Sequence, residues 1–291
     1  MTVKSRVVAS LTVGTALLVL TSSAHHALPQ TARDGVATSP VISTTAAPPG
    51  TETLGVEWLS VAAPGPGVML AAVARPPGPG PFPVIVLLHG SHGFAQEYVR
   101  LARDLSTGGL IAVAACWFRG GGGAGTRFVT PIRCRDAPQA PGATSPEAMR
   151  TVDVLLQAVR TLPDARQDRI ALFGHSRGGG AALNYILRVG ALQAAILNST
   201  GYPSEFADLA AQAKAPLLML HGTADSPADG GGAFSNVQMA RDFESSLRAA
   251  GKRVEAVYYE GGRHNAIFTD PTQYRDEVER MRSFLQRHLR D

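Results

Sequence analysis

Short apolar runs that alternate with stretches of helical periodicity leave this chain few architectures. Val84 to Leu88, Leu110 to Ala115, Ile170 to Phe173, Ala194 to Leu197, Leu217 to Leu220 and Val254 to Tyr259 are too short for helices, and most are almost wholly apolar. Such runs suit strands covered on both faces. Between them, Tyr98 to Leu105, Pro146 to Leu162, Gly178 to Val189, Val237 to Ala249 and Tyr274 to Leu289 carry helical patterns. Met149, Val152, Leu155, Leu156 and Val159 form one apolar face, with Ser145 in the N-cap position. Val56 to Val61 and Val68 to Ala74, joined by a Pro-Gly turn, read as an opening hairpin. Strands alternating with helices predict a mostly parallel sheet with helices on both faces, whose chemistry gathers at the carboxyl ends of the strands.

The chain has 291 residues, 45% of them hydrophobic, enough for one large domain or two small ones and too few for a multi-pass membrane protein. Its net charge of +4 comes without a Lys/Arg block, so no nucleic-acid groove is expected. Lys4 and Arg6, the apolar run Val7 to Leu20 and the small residues Ser22-Ser23-Ala24 read as a signal peptide over residues 1–24. The protein is therefore expected to be secreted or in the cell envelope, without stable membrane insertion once the segment is cleaved; an uncleaved N-terminal anchor is the alternative. Residues 25–52, rich in Pro, Ser and Thr, are expected to be a flexible linker, with the folded domain over 53–291. In an exported protein Cys116 and Cys134 pair more often than not. The bridge would staple the Gly-rich loop after Trp117, restricting the unfolded chain by about 3 kcal/mol on a loop-entropy model.

Three residues fall where such a sheet places its chemistry. Gly174-His175-Ser176-Arg177-Gly178 is a G-x-S-x-G between a strand and a helix. The serine must sit on a sharp turn with Oγ exposed, and the flanking glycines leave room for it. Asp225, in LHGTAD, follows an apolar strand and suits the orienter of a histidine; Asp229 is its competitor. His264, in GGRHNAIF, follows the last strand. His89, His92 and His221 lie near strand ends, His175 is expected to face away inside the elbow, and His288 lies on the last helix. The order nucleophile, acid, histidine selects His264. Two N–H donors for an oxyanion are expected from Arg177 and from Ser91, with His92 as alternative. Phe94, Trp117, Phe118 and Tyr202 are expected to line the pocket, and Leu197 to Pro216 leaves no room for a large cap.

The motifs LLHGSHG, FGHSRGG, LHGTAD and GGRHNAIF, in that order, resemble the dienelactone hydrolase group of the α/β-hydrolases. The resemblance implies an α/β-hydrolase fold and an acyl-transferring hydrolase that needs no metal or organic cofactor. Dienelactone hydrolase itself carries a cysteine nucleophile, whereas this elbow holds Ser176; a small-molecule carboxylic ester is therefore the expected substrate. A prolyl-oligopeptidase-like peptidase and a non-catalytic binding protein of the same fold are the alternatives.

Overall fold

Register across the strands explains how distant motifs reach one edge of the molecule. The computed structural model describes residues 40–120 and 127–290. The segment read as a signal peptide, the stretch read as a linker up to residue 39 and part of the Gly-rich loop lie outside these residues.

The strands are β1 (Ile42–Thr44), β2 (Glu57–Ala62), β3 (Val68–Ala74), β4 (Phe82–Leu88), β5 (Ile111–Ala115), β6 (Ala165–His175), β7 (Ala194–Asn198), β8 (Leu217–Gly222) and β9 (Val254–Tyr259). They form one sheet in the order β1-β2-β3-β5-β4-β6-β7-β8-β9. From β5 to β9 the neighbours are parallel; β1, β2 and β3 pair antiparallel at one edge. Leu88 pairs with Gly174, Gly174 with Leu197, and Leu197 with Met219, so the carboxyl ends of the central strands are level. The loops that follow β4, β6, β8 and β9 thus open on the same edge.

The helices are α1 (Gln96–Ser106), α2 (Pro146–Arg160), α3 (Arg177–Arg188), α4 (Ser204–Asp208), α5 (Val237–Ala249), α6 (Ala266–Thr269) and α7 (Pro271–Leu289). Alternate residues of β4 feed two cores. Val84, Val86 and Leu88 pack with Val152, Leu183 and Phe243 of α2, α3 and α5. Ile85 and Leu87 pack with Leu101, Met281 and Phe284 of α1 and α7. Each such side chain contributes about 2 kcal/mol by leaving water. Ser145 caps α2 by accepting from the Ala148 N–H at 3.2 Å, as its position suggested. Among the described residues no large cap stands over the sheet: between β7 and β8 the chain makes α4 and a short 3₁₀ turn.

The beginning of the domain differs from the sequence expectation. Ile42–Thr44 falls in the stretch read as linker, yet it pairs with Leu59 to Val61. The β-branched residues of β1 form an edge strand too short to stand out from the flanking prolines. Cys116 and Cys134 are disulfide-bonded, their Cα atoms 6.6 Å apart. Among the described residues no helix is long and apolar enough to cross a membrane.

Candidate active site

Ser176 sits between the end of β6 and the start of α3 with φ 53° and ψ −116°. A non-glycine residue at positive φ is strained, and the surrounding strand–turn–helix holds it there. Its N–H donates to the Asn198 carbonyl at 2.9 Å, and its own carbonyl accepts from Gly180 N–H at 3.0 Å. The backbone is therefore fixed on both sides while Oγ projects into a cavity.

The loops after β8 and β9 are stitched together before they reach that serine. Thr223 N–H donates to the Tyr259 carbonyl, Ala224 N–H to the Gly262 carbonyl and Gly261 N–H to Thr223 Oγ1, each at 2.9 Å. This stitching carries His264 over the sheet. Its Nε2 lies 2.9 Å from Ser176 Oγ, and its Nδ1 lies 2.8 Å and 3.0 Å from the two carboxylate oxygens of Asp225. With Nδ1–H donating to Asp225, Nε2 presents a lone pair to the serine hydroxyl. Both His264 and Asp225 are buried, so the contact is little screened by water.

Asp225 has further partners that the sequence did not identify. Ser235 Oγ–H reaches its Oδ1 at 3.0 Å, and His221 Nε2 lies 3.5 Å from its Oδ2. Burial lowers the His221 pKa, and its Nε2–H donates to the Ser235 carbonyl at 2.5 Å. His221 thus braces the acid's loop from behind. Asp229, the competing acid, pairs instead with Arg263 at 3.1 Å.

The other histidines are accounted for by burial. His89 donates Nδ1–H to the Gly90 carbonyl at 2.9 Å, and desolvation pulls its ring down to about 3. His92 is held down at about 4, again mainly by burial. Its Nε2 faces Tyr98 Oη at 3.0 Å, so the tyrosine O–H donates to the neutral ring. His288 lies beside Phe284 and Glu255 on α7. His175 requires a correction. Its ring does not turn away from the site but lies against that of His264, with centroids 5.3 Å apart. Asn198 and Asn265 hold it there, at 2.7 Å and 3.2 Å.

The loop after β4 is fixed by the same tyrosine. Gly90 N–H donates to Tyr98 Oη at 3.0 Å and Gly93 N–H to the Gly90 carbonyl at 3.1 Å. Among the described residues, the N–H groups of Ser91 and His92, which lie between these two glycines, make no such bond. Ser91 borders the cavity at Ser176 together with Arg177, whose Nε–H donates to Ser91 Oγ at 3.1 Å.

That cavity measures about 460 Å³. Its walls are mostly small residues, including Ala143, Thr144, Gly180, Ser199 and Gly231, with Phe206 and Phe234 as its aromatics. Phe206 is buried and Phe234 is 51% exposed. The four expected aromatics do not line it, because each is spent on packing. Trp117 anchors its Nε1–H on the His89 carbonyl at 3.0 Å, and Phe118 packs edge-on against Trp117. Phe94 packs on Trp58, and Tyr202 stacks on Phe243. Phe118 does border a neighbouring cavity with Ser91 and Arg177, while Phe94 borders one beside the disulfide. A run of glycines ending in an aromatic, GGGAF after the acid, was the available signal for Phe234.

Solved structures share this architecture. A Klebsiella pneumoniae protein assigned as a dienelactone hydrolase is 20% identical, with a TM-score of 0.62 over 86% of this chain and 99% of that one. An esterase from Pyrococcus furiosus is 14% identical, with a TM-score of 0.62 over 82% of this chain and 96% of that one. The acylaminoacyl peptidase of Pyrococcus horikoshii is 16% identical, with a TM-score of 0.61 over 87% of this chain but 42% of that one. At these identities the likeness is one of fold. No curated protein sequence matches the chain. The model of the dienelactone hydrolase family matches residues 69–289, from β3 to the end of α7, and the chain belongs to that family.

Proposed function

We propose that the protein is an exported serine hydrolase that cleaves carboxylic esters through an acyl-enzyme. The observation that carries this reading is the unbroken line from Ser176 Oγ through His264 to Asp225, open to a cavity at the serine end. His264 Nε2 takes the Ser176 proton as Oγ attacks the ester carbonyl, and Asp225 holds the imidazole tautomer and faces the imidazolium. The N–H groups of Arg177 and Ser91 hold the oxyanion. The protonated His264 then gives its proton to the leaving alcohol, and water, activated in the same way, releases the acid. No metal or organic cofactor takes part.

A cavity of this size takes a small or medium soluble ester. The test is labelling by a fluorophosphonate followed by a panel of esters graded in acyl length. A single adduct on Ser176 and highest kcat/KM on short to medium acyl chains are expected. An enzyme that forms no adduct, or works only at a lipid–water interface, would overturn the reading.

Export is proposed from the charged start, apolar run and small-residue site within residues 1–24. Amino-terminal sequencing of protein from the native host's culture fluid or cell envelope should find the chain starting near His25. A soluble cytoplasmic pool that keeps Met1 would remove this part of the proposal.

A further inference from the structure

A chain of side chains runs behind the triad that the reaction above does not use. Glu277 of α7 is wholly buried, and its Oε2 lies 2.7 Å from the Asn198 amide at the end of β7. The other end of that amide lies 2.7 Å from His175 Nδ1, and His175 Nε2 lies 3.2 Å from Asn265 Oδ1. Asn265 Nδ2–H donates to the Asp229 carbonyl at 3.2 Å. Gln273 closes the far end, its Nε2–H donating to Glu277 Oε1 at 2.7 Å.

Counting donors fixes every proton in this chain. The Asp229 carbonyl can only accept, so Asn265 must turn its NH₂ there and its Oδ1 toward His175. His175 must then carry its proton on Nε2. A neutral ring has one N–H, so Nδ1 is a bare acceptor and Asn198 must present NH₂ to it. Oxygen and nitrogen of an amide are interchangeable by a flip, so this costs no movement of the side chain. Asn198 Oδ1 then faces Glu277 and needs a donor, which a carboxylate cannot supply and a carboxylic acid can. The alternative is a doubly protonated His175 and an ionised Glu277. It would leave two buried charges separated by an amide, each without a counter-ion in contact.

We infer that Glu277, as a neutral carboxylic acid, starts a one-directional hydrogen-bond chain through Asn198, His175 and Asn265 that positions the triad. Three members of the chain lie on segments that the triad needs. His175 directly precedes Ser176, Asn265 directly follows His264, and Asp229 lies in the turn after Asp225. His175 and Glu277 are positioning residues. That role rests on the triad proposed above; the placement of the protons does not.

The electrostatics agree with the count. Burial holds Glu277 up at about 8 and His175 well below the usual histidine range. The titratable and charged groups facing the chain are Asp276 beside Glu277, Tyr259 on β9, and His92 and His264 around His175. Asp276 is occupied by Tyr259 Oη–H and Arg280. As pH rises past about 8, Glu277 ionises and demands the Asn198 NH₂. The amide then turns its oxygen to His175, the ring proton moves to Nδ1, and the bare Nε2 repels Asn265 Oδ1.

Ring-nitrogen NMR of ¹⁵N-histidine-labelled protein, without substrate, reads the tautomer directly. His175 is expected neutral with its proton on Nε2 from pH 5 to about pH 7.5, below the Glu277 transition at about 8. Glu277→Gln, whose amide can donate where the acid did, should keep that tautomer, keep kcat within about twofold and lose the alkaline fall in activity. Glu277→Leu should lower kcat roughly 10- to 100-fold with KM unchanged, as the base loop drifts. A His175 that is doubly protonated, or protonated on Nδ1, at neutral pH overturns the inference. So does a Glu277→Gln variant that keeps the wild-type alkaline limb. Should Glu277→Leu not fold, the tautomer and the glutamine variant still decide. If the wild type cleaves no ester, the proposed function falls while the NMR result on the chain stands.

Discussion

Replacing Ser176 with alanine is expected to lower kcat by about five to six orders of magnitude while leaving the fold intact. The hydroxyl makes one contact that matters, to His264 Nε2 at 2.9 Å, and the serine backbone bonds do not involve its side chain. His264→Ala should cost about as much, because an unassisted serine is a poor nucleophile at neutral pH. Asp225→Ala should cost about four orders. Without the acid, His264 loses both carboxylate contacts on Nδ1 and is free to adopt the wrong tautomer. The three are expected to act as a unit, so Ser176→Ala/His264→Ala should fall close to Ser176→Ala alone rather than at the product of the two losses. Activity remaining above the uncatalysed rate would come from binding and from the Arg177 and Ser91 N–H donors. Steady-state kinetics of purified variants on any ester the wild type cleaves would check this. A Ser176→Ala enzyme with near-normal turnover would remove the serine from the mechanism.

Where the sequence was legible, a physical rule tied a residue type to one place. Among the strands feeding the site, β4, Ile170 to Phe173 of β6 and Leu217 to Leu220 of β8 are unbroken apolar runs, because both faces are covered there, and a helical face could not look like that. A loop at a strand end can carry a nucleophile, an acid or a base, and chain order then separated His264 from His89, His92 and His221. The structure adds why those three are poor substitutes: burial lowers each ring's affinity for a proton, and each is tied to a backbone carbonyl or to Tyr98.

The pocket was not legible, because its walls come from loops far apart in the chain and are made of small residues with no pattern. Aromatics just past a strand end look like lining but prefer burial; Trp117 and Phe118 continue inward beyond β5 instead of turning out. Glu277 was hidden differently. It shares a helix face with Met281 and Phe284, at i+4 and i+7, and that register was the readable sign of an inward-facing acid. One acid among several on a charged helix gives no hint of a partner until Asn198 is brought to it from β7.

The glycines of the elbow offer the other large effect, and neighbours along one helix should differ sharply. Gly178 is the second residue of α3, and a Cβ built there would run into the backbone carbonyls of Leu88 and His89. These atoms belong to the end of β4, where the helix crosses the sheet, so no side chain can rotate away to make room. Gly178→Ala must push α3 off the sheet. Overpacking of this kind typically costs about 1–3 kcal/mol, and a backbone obstacle places it at or above the upper end. The same displacement moves Ser176, the residue at the cap of α3, relative to His264. A shift of about 1 Å at that contact should lower kcat roughly 100-fold in the molecules that remain folded. Two positions on, Gly180 points elsewhere. Its Cβ would meet Ala143 Cβ at 3.2 Å, a contact with one methyl group in the cavity wall. Gly180→Ala should therefore leave stability nearly unchanged, since alanine favours the helix that glycine weakens, and should act on KM by narrowing the pocket. Denaturant unfolding separates the two variants by stability. Fluorophosphonate labelling rates separate a misplaced serine from a narrowed cavity, because the probe's small phosphonyl group needs little of the pocket. A Gly178→Ala protein with wild-type stability and labelling would mean that α3 and β4 are not in the close contact that aims the nucleophile.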